Sequence, residues 1–404
     1  MAAAPNLAVE GFHGPGGWGE GRRILGLHIR AVGMEWDAAA CATAKAAGHT
    51  VVRCDVATMP TAPFRGRVKV KVDSPPCQAW SRAGKSLGLV DQPLVHQAVE
   101  DLAAGRDTRA RLLTACKDPR SLLAAEPMRW HHDLRPETIV MEEVPDVLPL
   151  FKQYAAILRA WGYSVWVGIL NAADYGVPQT RRRAILIASR VRTVGPPAPT
   201  HTQHPGGEDL FGDSLPGWVC MADALGWGAT DRPVPTVTAG GGKAGGAEPF
   251  PTQARAALTA SRDRGDWVLK SRRDSDAWVA KEGPRENRRA SEPAPTFTGE
   301  AHRWSWAMTR PATTACTTDR IAPPGHRDQS PKGESQFASP DTIRITQTEA
   351  AVLQSFRADH PWQGTKTKQF EQIGNAVPPL LGAHVLSAAT GIPMPAAADL
   401  AAAA

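Results

Sequence analysis

A cysteine placed directly after a predicted strand is the residue of this chain best suited to chemistry. Cys77 lies in the segment Ser74-Pro75-Pro76-Cys77-Gln78, which follows the β-branched run Val68–Val72. Because the prolines end the strand, Cys77 should lie at its carboxyl end, the edge where open α/β sheets bind ligands. A thiolate there would serve as a nucleophile, whereas the alternative is an inert cysteine buried in a turn.

A glycine-rich segment and two acidic residues form a second group with chemical meaning. Gly14-Pro15-Gly16-Gly17-Trp18-Gly19 follows the first predicted strand and opens a helix, so a ligand could approach its backbone closely. Glu35 and Asp55 end the next two predicted strands, where carboxylates could bind a ribose and an adenine amino group. Together they predict an adenosine pocket that suits NAD and S-adenosylmethionine equally well. The alternative is a glycine turn beside two solvated acids.

The elements that must position these residues alternate between strands and helices up to about residue 190, which predicts βαβ units and a parallel sheet. The predicted strands are 7–12, 29–35, 50–54, 68–72, 137–141, 163–169 and 183–188. The predicted helices are 37–47, 93–104, 121–134 and 150–161, and helical patterning returns at 346–356 and after Pro379. We expect the loop Gln78–Gln92 to be a mobile lid beside Cys77.

Composition narrows the class of protein. Of the 404 residues 42% are hydrophobic, which supports a sizeable core, and the net charge of +6 permits a phosphate-bearing partner without requiring one. The six cysteines form no Cys-x-x-Cys pair, so we expect neither a metal site nor a disulfide framework. The sequence shows no signal peptide and no apolar run of about 18 residues, so we expect a soluble, cytoplasmic protein without a membrane partner.

Four segments give the chain a family resemblance. Pro75-Pro76-Cys77-Gln78 resembles the nucleophile loop of the DNA (cytosine-5)-methyltransferases, and Glu142-Glu143-Val144 stands where that family carries Glu-Asn-Val. Gln179-Thr180-Arg181-Arg182-Arg183 matches their Gln-x-Arg-x-Arg, and the segment Gln372–Pro379 resembles their closing motif. The resemblance covers residues 7 to 190 and 341 to 390, in the family's order.

The resemblance implies a fold and a division of the chain. The fold class is α/β, a Rossmann-like sheet typical of S-adenosylmethionine-dependent methyltransferases with an inserted, loop-rich target-recognition domain. We expect a catalytic and cofactor-binding domain over residues 1–195 and the target-recognition domain over 196–340. Residues 341–395 would return to complete the catalytic domain, and 396–404 form an Ala-rich tail.

The resemblance also implies a mechanism. The thiolate of Cys77 would add to C6 of cytosine, which makes C5 nucleophilic enough to accept a methyl group. Arg181 and Arg183 are the positive charges expected to lower the pKa of that thiol. Glu142 is expected to bond N3 and the amino group of the base, which relieves the electron density that the attack builds on the ring.

The resemblance further implies S-adenosylmethionine as cofactor and double-stranded DNA as partner, with the target cytosine flipped out of the duplex. We expect a monomer that could pair functionally with a restriction endonuclease. The residues expected to contact the cofactor are Phe12, Gly14, Gly16, Gly17, Glu35, Trp36, Asp55, Pro76, Asn375 and Val377. Those expected to contact the DNA are Gln78, Ser81 and Gln179.

Two departures from the family pattern bear on these expectations. Glu10 and Gly11 stand where the family usually carries Asp and Leu, which would loosen the end of the first strand and affect cofactor affinity. Glu143 replaces the family's Asn, and the alternation of side chains along a strand predicts that it points away from the target of Glu142. If the two carboxylates instead lie close together, one pKa should rise.

Three other functions remain open at this point. The same motifs occur in RNA cytosine-5 methyltransferases, although an insertion of roughly 140 residues favours DNA. A non-catalytic DNA-binding protein on a decayed methyltransferase fold would explain the departures, but Cys77, Glu142, Arg181 and Arg183 are all present. A NAD-dependent oxidoreductase rests on the glycine pattern alone.

Overall fold

The computed structural model describes residues 6–76, 79–80, 87–205, 215–225, 267–271, 288–297, 304–308, 342–344 and 346–396. Three predicted site residues, Cys77, Gln78 and Ser81, lie outside the described residues. Only the flanking segments, such as Ser74–Pro76, therefore bear on the roles expected of these three residues.

Seven strands form the main sheet, in the order β3-β2-β1-β4-β5-β8-β6. The first eight strands of the chain are β1 Leu7–Gly11, β2 Arg30–Glu35, β3 Val51–Arg53, β4 Val68–Asp73, β5 Thr138–Glu143, β6 Ser164–Asn171, β7 Gln179–Thr180 and β8 Arg182–Ser189. All neighbours in this sheet are parallel except β8, which runs antiparallel to both β5 and β6. The prediction of an all-parallel sheet is therefore wrong at β8, because the chain between β6 and β8 is too short for a crossover connection.

Helices cover both faces of this sheet. The α-helices of the described ranges are α1 Gly17–Leu25, α2 Ala38–Ala46, α3 Leu87–Ala103, α4 Arg109–Leu113, α5 Glu126–Leu134, α6 Leu148–Ala160, α7 Met221–Ala224, α8 Gln347–Leu353, α9 Lys366–Asn375 and α10 Pro379–Thr390, of which α7, α8 and α9 pack in the core of the second sheet. Short 3₁₀ helices occupy Ala62–Phe64, Pro119–Ala125, Pro145–Val147 and Ala172–Tyr175. None of the helices in the described ranges is long and apolar enough to cross a membrane.

Two helix predictions need correction. Residues 87–92 are not part of a lid loop, because α3 begins at Leu87 and includes Pro93. Proline is favoured in the first turn of a helix, which made Pro93 a misleading start signal. The helix predicted over 121–134 is divided into a 3₁₀ helix ending at Ala125 and α5, and Pro127 lies in the first turn of α5.

Alternating residues of the central strands build two cores. Ile139 and Met141 of β5 pack with α3 and α6, whereas Val140 packs on the opposite face with α1 and α10. Both faces of the sheet are therefore buried, as in other open α/β sheets. The contact between α1 and α10 brings the end of the described chain back to the glycine-rich segment.

A second, antiparallel sheet has the order β10-β9-β12-β13. The remaining strands are β9 Trp267–Ser271, β10 Arg288–Arg289, β11 Ala294–Pro295, β12 Trp304–Met308 and β13 Thr342–Arg344, with β11 pairing separately with β7. Trp304 and Trp306 share an apolar core with Phe370 and Ile373 of α9. Helix α9 therefore touches the second sheet, and the division of the chain at residues 340 and 341 stays a prediction.

Candidate active site

The segment that leads to Cys77 is fixed from two sides. Strand β4 ends at Asp73, and Ser74, Pro75 and Pro76 then line a cavity of about 490 Å³. The Trp18 indole N–H donates to Ser74 Oγ at 2.8 Å, and the Ser74 backbone N–H donates to Gly11 O at 3.4 Å. These bonds tie the carboxyl end of β4 to α1 and β1, so Cys77 follows an anchored segment at the cavity wall.

A buried ion pair lies on the neighbouring strand. Arg183 Nε approaches Glu142 Oε1 at 2.9 Å, and both side chains are more than nine-tenths buried. Glu142 lies at the end of β5, which pairs with β4, and both members of the ion pair line the same cavity. The pair therefore presents a fixed carboxyl group beside the segment that leads to Cys77.

Arg181 makes a different set of contacts from Arg183. Its guanidinium is buried and donates to the carbonyl oxygens of Phe297, Gly374 and Ala376 at 3.0–3.1 Å. Phe297 belongs to the apolar core of the second sheet, whereas Gly374 lies at the end of α9. Arg181 also lines the cavity, so it joins three parts of the chain at the site. Its predicted effect on the Cys77 thiol stays a prediction.

Glu143 is fully buried although it is an acid without a described cationic partner. Its Oε2 accepts from the Val144 backbone N–H at 2.5 Å, and Oε1 has no hydrogen-bond partner among the described residues. Burial raises the pKa of Glu143 well above its usual range; the charge of Glu142 adds to this shift, and the Val144 N–H and Arg183 oppose it. Glu143 also lines the cavity, and the expectation that its side chain points away from the target of Glu142 stays a prediction.

The glycine-rich segment and the end of β2 form the opposite wall. Glu35 accepts from the backbone N–H of Gly14 at 2.8 Å and of Asp37 at 2.7 Å. Phe12 adopts a left-handed backbone with φ of 56°, which is unusual for a side chain of this size. A carboxylate such as that of Glu35 can accept about four hydrogen bonds, which is more than the Gly14 and Asp37 N–H groups supply. Glu35 therefore holds the glycine-rich segment and retains capacity for a ligand.

Most of the predicted site residues that the structure describes meet at this cavity. Those that line it are Phe12, Gly14, Glu35, Trp36, Asp55, Pro76, Glu142, Arg181, Arg183 and Asn375. Trp36 is 70% exposed at the rim, so its ring is available to a ligand. No metal-binding cluster of His, Cys, Asp or Glu occurs in the part of the chain that the structure describes.

Four predicted site residues lie behind the cavity wall. A Cβ added at Gly17 would overlap the backbone of Val377, so these two residues pack α1 against the turn before α10. A Cβ at Gly16 would come within 2.7 Å of the His49 ring. Gln179 is buried on β7, and its amide has no hydrogen-bond partner among the described residues. These residues shape the site from behind, and contact with a ligand stays a prediction for each.

Sequence reasoning missed a group of residues that close one side of the cavity. Lys368 Nζ of α9 approaches Asp37 Oδ2 at 3.2 Å, and both residues line the cavity with Gln372. Arg120 lines it from the 3₁₀ helix before α5. Asp37, Lys368 and Arg120 belong to no recognisable motif, and Asp37 and Lys368 are 331 residues apart, so only the fold identifies them.

The departure at Gly11 has a structural reason. A Cβ at Gly11 would lie closer than 3.0 Å to Asp73 Oδ1, a distance that Cβ atoms essentially never show. Asp73 is completely buried, forms an ion pair with Lys71 and lies 3.3 Å from His131 Nε2. Glycine at position 11 therefore makes room for charged groups under the segment that leads to Cys77.

Glu10 is also held firmly. His13 Nδ1 lies 2.8 Å and Arg22 Nε 3.4 Å from its carboxylate. Burial alone would raise the pKa of Glu10, but His13 and Arg22 outweigh burial and lower the pKa to about 2. The acid that departs from the family pattern therefore has partners of its own, and its expected effect on the strand end and on cofactor affinity stays a prediction.

Comparisons with known proteins agree with this geometry. Residues 109–390 match the sequence profile of the C-5 cytosine-specific DNA methylases. The type II methyltransferase M.AquIA of Picosynechococcus sp. is 28% identical over 53% of this chain and 85% of its own length, and M1.HphI of Haemophilus parahaemolyticus is 26% identical over 94% and 85%. The solved structure of Entamoeba histolytica methyltransferase EhMeth superposes with a TM-score of 0.53 at 14% identity, over 96% of this chain and 99% of that one, and confirms the predicted fold class. The chain belongs to the C-5 cytosine-specific DNA methylase family.

Proposed function

We propose that this protein transfers a methyl group from S-adenosylmethionine to C5 of a flipped cytosine in double-stranded DNA. The observation that carries the proposal is the buried ion pair between Arg183 and Glu142, which lies at the wall of a large cavity one strand away from Ser74–Pro76. The named relatives are type II methyltransferases, which supports DNA as the substrate and a role in restriction and modification.

Cytosine activation depends on Cys77 and Glu142. The Cys77 thiolate adds to C6, and the electron density of the broken C5–C6 double bond makes C5 nucleophilic. Glu142, held by Arg183, donates its carboxyl proton to N3 and accepts a hydrogen bond from the exocyclic amino group, which stabilises the negative charge that develops in the ring. After methyl transfer, a water molecule takes the C5 proton, the electrons of the C5–H bond re-form the C5–C6 double bond, and the Cys77 thiolate leaves C6.

The residues of the cavity suit S-adenosylmethionine. A volume of about 490 Å³ lies within the range of small-molecule sites. When bound, this cofactor supplies an electrophilic methyl group on a sulfonium centre. Glu35 accepts hydrogen bonds from the ribose, and Asp55 accepts one from the adenine amino group. The aromatic faces of Phe12 and Trp36 pack against the adenine.

The remaining cavity and substrate residues complete the site. Gly14, Gly16 and Gly17 allow close approach to the amino terminus of α1, and Pro76, Asn375 and Val377 form the far side of the cofactor position. Gln78, Ser81 and Gln179 contact the flipped nucleotide or its flanks. Arg181 ties these parts together, because its guanidinium binds carbonyl groups of Phe297 and α9.

DNA binding completes the proposal. A cytosine must leave the stack to enter a concave site, at the expense of a few kcal/mol in unstacking. Strand β11, which follows β10 of the second sheet along the chain, pairs with β7 next to Arg181, so a target-recognition domain over 196–340 would lie at the mouth of the site. We propose that the protein acts as a monomer and has a restriction endonuclease as its functional counterpart.

The test is to identify the methylated product. Purified protein is incubated with S-adenosylmethionine and mixed-sequence duplex DNA, and the nucleosides are analysed by mass spectrometry. We expect 5-methylcytosine, its loss in Cys77→Ser and a strong reduction in Glu142→Gln, with thermal melting as the control for folding. Sequencing then gives the recognition site. Methylation of a parallel RNA sample alone, or of N4 in place of C5, would contradict the proposal.

A further inference from the structure

The loop after β3, here called the Asp55–Met59 loop, forms its turn through hydrogen bonds to Asp55, its first residue. Asp55 and Val56 line the cavity, and Asp55 Oδ1 accepts from the Ala57 backbone N–H at 2.9 Å. The Met59 N–H returns to the Asp55 carbonyl at 3.0 Å. These local bonds give the loop its turn, and Val56 packs in an apolar core with Met34 and Trp130.

Two arginines fix the position of the Asp55–Met59 loop. Arg129 Nη2 donates to the Val56 carbonyl at 2.7 Å, and Arg129 Nη1 donates to the Met59 carbonyl at 2.9 Å. Arg109 Nη1 donates to the Ala57 carbonyl at 2.8 Å. Three of the loop's carbonyl groups are therefore bound by guanidinium groups of α4 and α5. Because guanidinium is planar and rigid, these bonds determine the orientation of the loop.

One buried acid holds both arginines. Glu126, the first residue of α5, forms an ion pair with Arg109 Nη1 through Oε1 and with Arg129 Nε through Oε2, the latter at 3.2 Å. The Glu126 side chain is 3% exposed. Arg109 is also held by Asp107, with Nε to Oδ1 at 2.8 Å, at the surface. Glu126 is thus the group that the two arginines share.

We propose that Glu126 is a positioning residue for recognition of the cofactor's adenine, because it orients the two arginines that hold the Asp55–Met59 loop and hence the Asp55 carboxylate. This inference rests on the proposed function, in which Asp55 accepts a hydrogen bond from the adenine amino group. Among the described residues that line the cavity Glu126 is absent, so it acts only through Arg109 and Arg129.

The consequence is a specific change in ligand preference. S-inosylhomocysteine carries a carbonyl oxygen where S-adenosylhomocysteine carries the adenine amino group, so the Asp55 carboxylate should reject it. In Glu126→Gln the arginines lose their shared charge and Asp55 is misplaced. We expect the preference for the adenine ligand to fall by about tenfold, the effect of one poorly aligned charge-assisted hydrogen bond. The kcat at saturating cofactor should change by less than about twofold.

The experiment is calorimetric titration of the full-length protein with both ligands. Asp101→Asn is the matched control, because Asp101 binds Arg106 and Thr108 at 2.8 and 2.7 Å in the same region without a contact to the loop. Arg109→Lys is a second variant in case Glu126→Gln does not fold, since lysine keeps the charge but lacks the planar fork with which Arg109 binds Asp107 through Nε while Nη1 binds Glu126 and Ala57.

The outcomes separate the inference from the proposed function. A reduced preference in Glu126→Gln or Arg109→Lys, with the parent value kept in Asp101→Asn, supports the positioning role. A folded variant that binds both ligands more weakly by the same factor overturns it, because only stability would then have changed. If the parent protein binds the two ligands equally, the assignment of Asp55 to adenine is wrong. If the parent protein binds neither, the proposed cofactor is wrong, and in both of these cases the inference fails with its premise.

Discussion

The close approach of Gly11 to Asp73 predicts a strong coupling between two positions that the sequence does not connect. Replacing Gly11 with Ala adds a Cβ closer than 3.0 Å to Asp73 Oδ1 and 3.1 Å from Lys71 Nζ. Asp73 has no freedom to move away, since Lys71 binds it and His131 lies 3.3 Å from its other oxygen. The substitution should therefore be destabilising in the parent protein and harmless once the two charges are gone.

The magnitude follows from overpacking. Adding a methyl group to a filled core costs about 1–3 kcal/mol, and we expect the upper end, about 3 kcal/mol, for Gly11→Ala. The reference background is Lys71→Met/Asp73→Ala. Removing one buried charge alone would leave the other unpaired, which would lower the free energy of unfolding by about 3–5 kcal/mol. In that background Gly11→Ala should leave the free energy of unfolding unchanged or raise it by about 0.5–1 kcal/mol, because alanine is favoured over glycine in a strand. The coupling free energy should therefore be about 3–4 kcal/mol.

Urea denaturation followed by tryptophan fluorescence measures this double-mutant cycle. Gly195→Ala is the matched control, because a Cβ at Gly195 meets nothing within 4 Å, and we expect no effect of it in either background. If Gly11→Ala destabilises both backgrounds equally, the room made by Gly11 for Asp73 is not the reason for this departure from the family pattern.

Three further predictions concern buried charges at the site. Glu10→Gln should lower the free energy of unfolding by about 3 kcal/mol at neutral pH, and the difference should disappear as the pH falls from about 4.5 to 2, because the folded-state pKa is about 2. The pKa of Glu143 is raised in the folded state, so Glu143→Gln should gain stability over the parent as the pH rises above about 4.5, by at most about 1.4 kcal/mol per pH unit. Urea titrations across this pH range check both variants. Arg183→Gln removes the charge that holds Glu142, so kcat for methylation should fall by about 10²–10³ while calorimetry gives an unchanged cofactor affinity.

The sequence was sufficient to predict the elements that carry contiguous motifs. Strand β4 was expected at 68–72 and occupies Val68–Asp73, and β5 was expected at 137–141 and occupies Thr138–Glu143. Alternation of apolar residues and proline breaks are local signals, so they place Ser74–Pro76 and Glu142 at neighbouring strand ends. Because the family motifs are short and contiguous, the fold class was predicted and is confirmed by the structural comparison.

Contacts between distant segments could not be predicted in this way. Arg181 binds carbonyl groups 116 to 195 residues away, and no periodicity indicates such partners. Lys368 reaches Asp37 only because α9 lies beside α2. Gly11 was expected to loosen the end of β1, because the sequence does not reveal that the Asp73 carboxylate occupies the space where a side chain at position 11 would lie. Charged residues in the interior depend on their partners, and partners are determined by the fold as a whole.

The central claim, that Cys77 adds to C6 of a cytosine in DNA, is tested most directly by trapping the adduct. Duplex DNA that carries 5-fluorocytosine at the target position has no C5 proton to lose, so Cys77 cannot be expelled after methyl transfer. We predict a one-to-one complex that resists denaturant, requires S-adenosylmethionine and maps to Cys77 by mass spectrometry of the peptides. An adduct at another residue, or none with DNA whose unmodified form the protein methylates, would contradict the account.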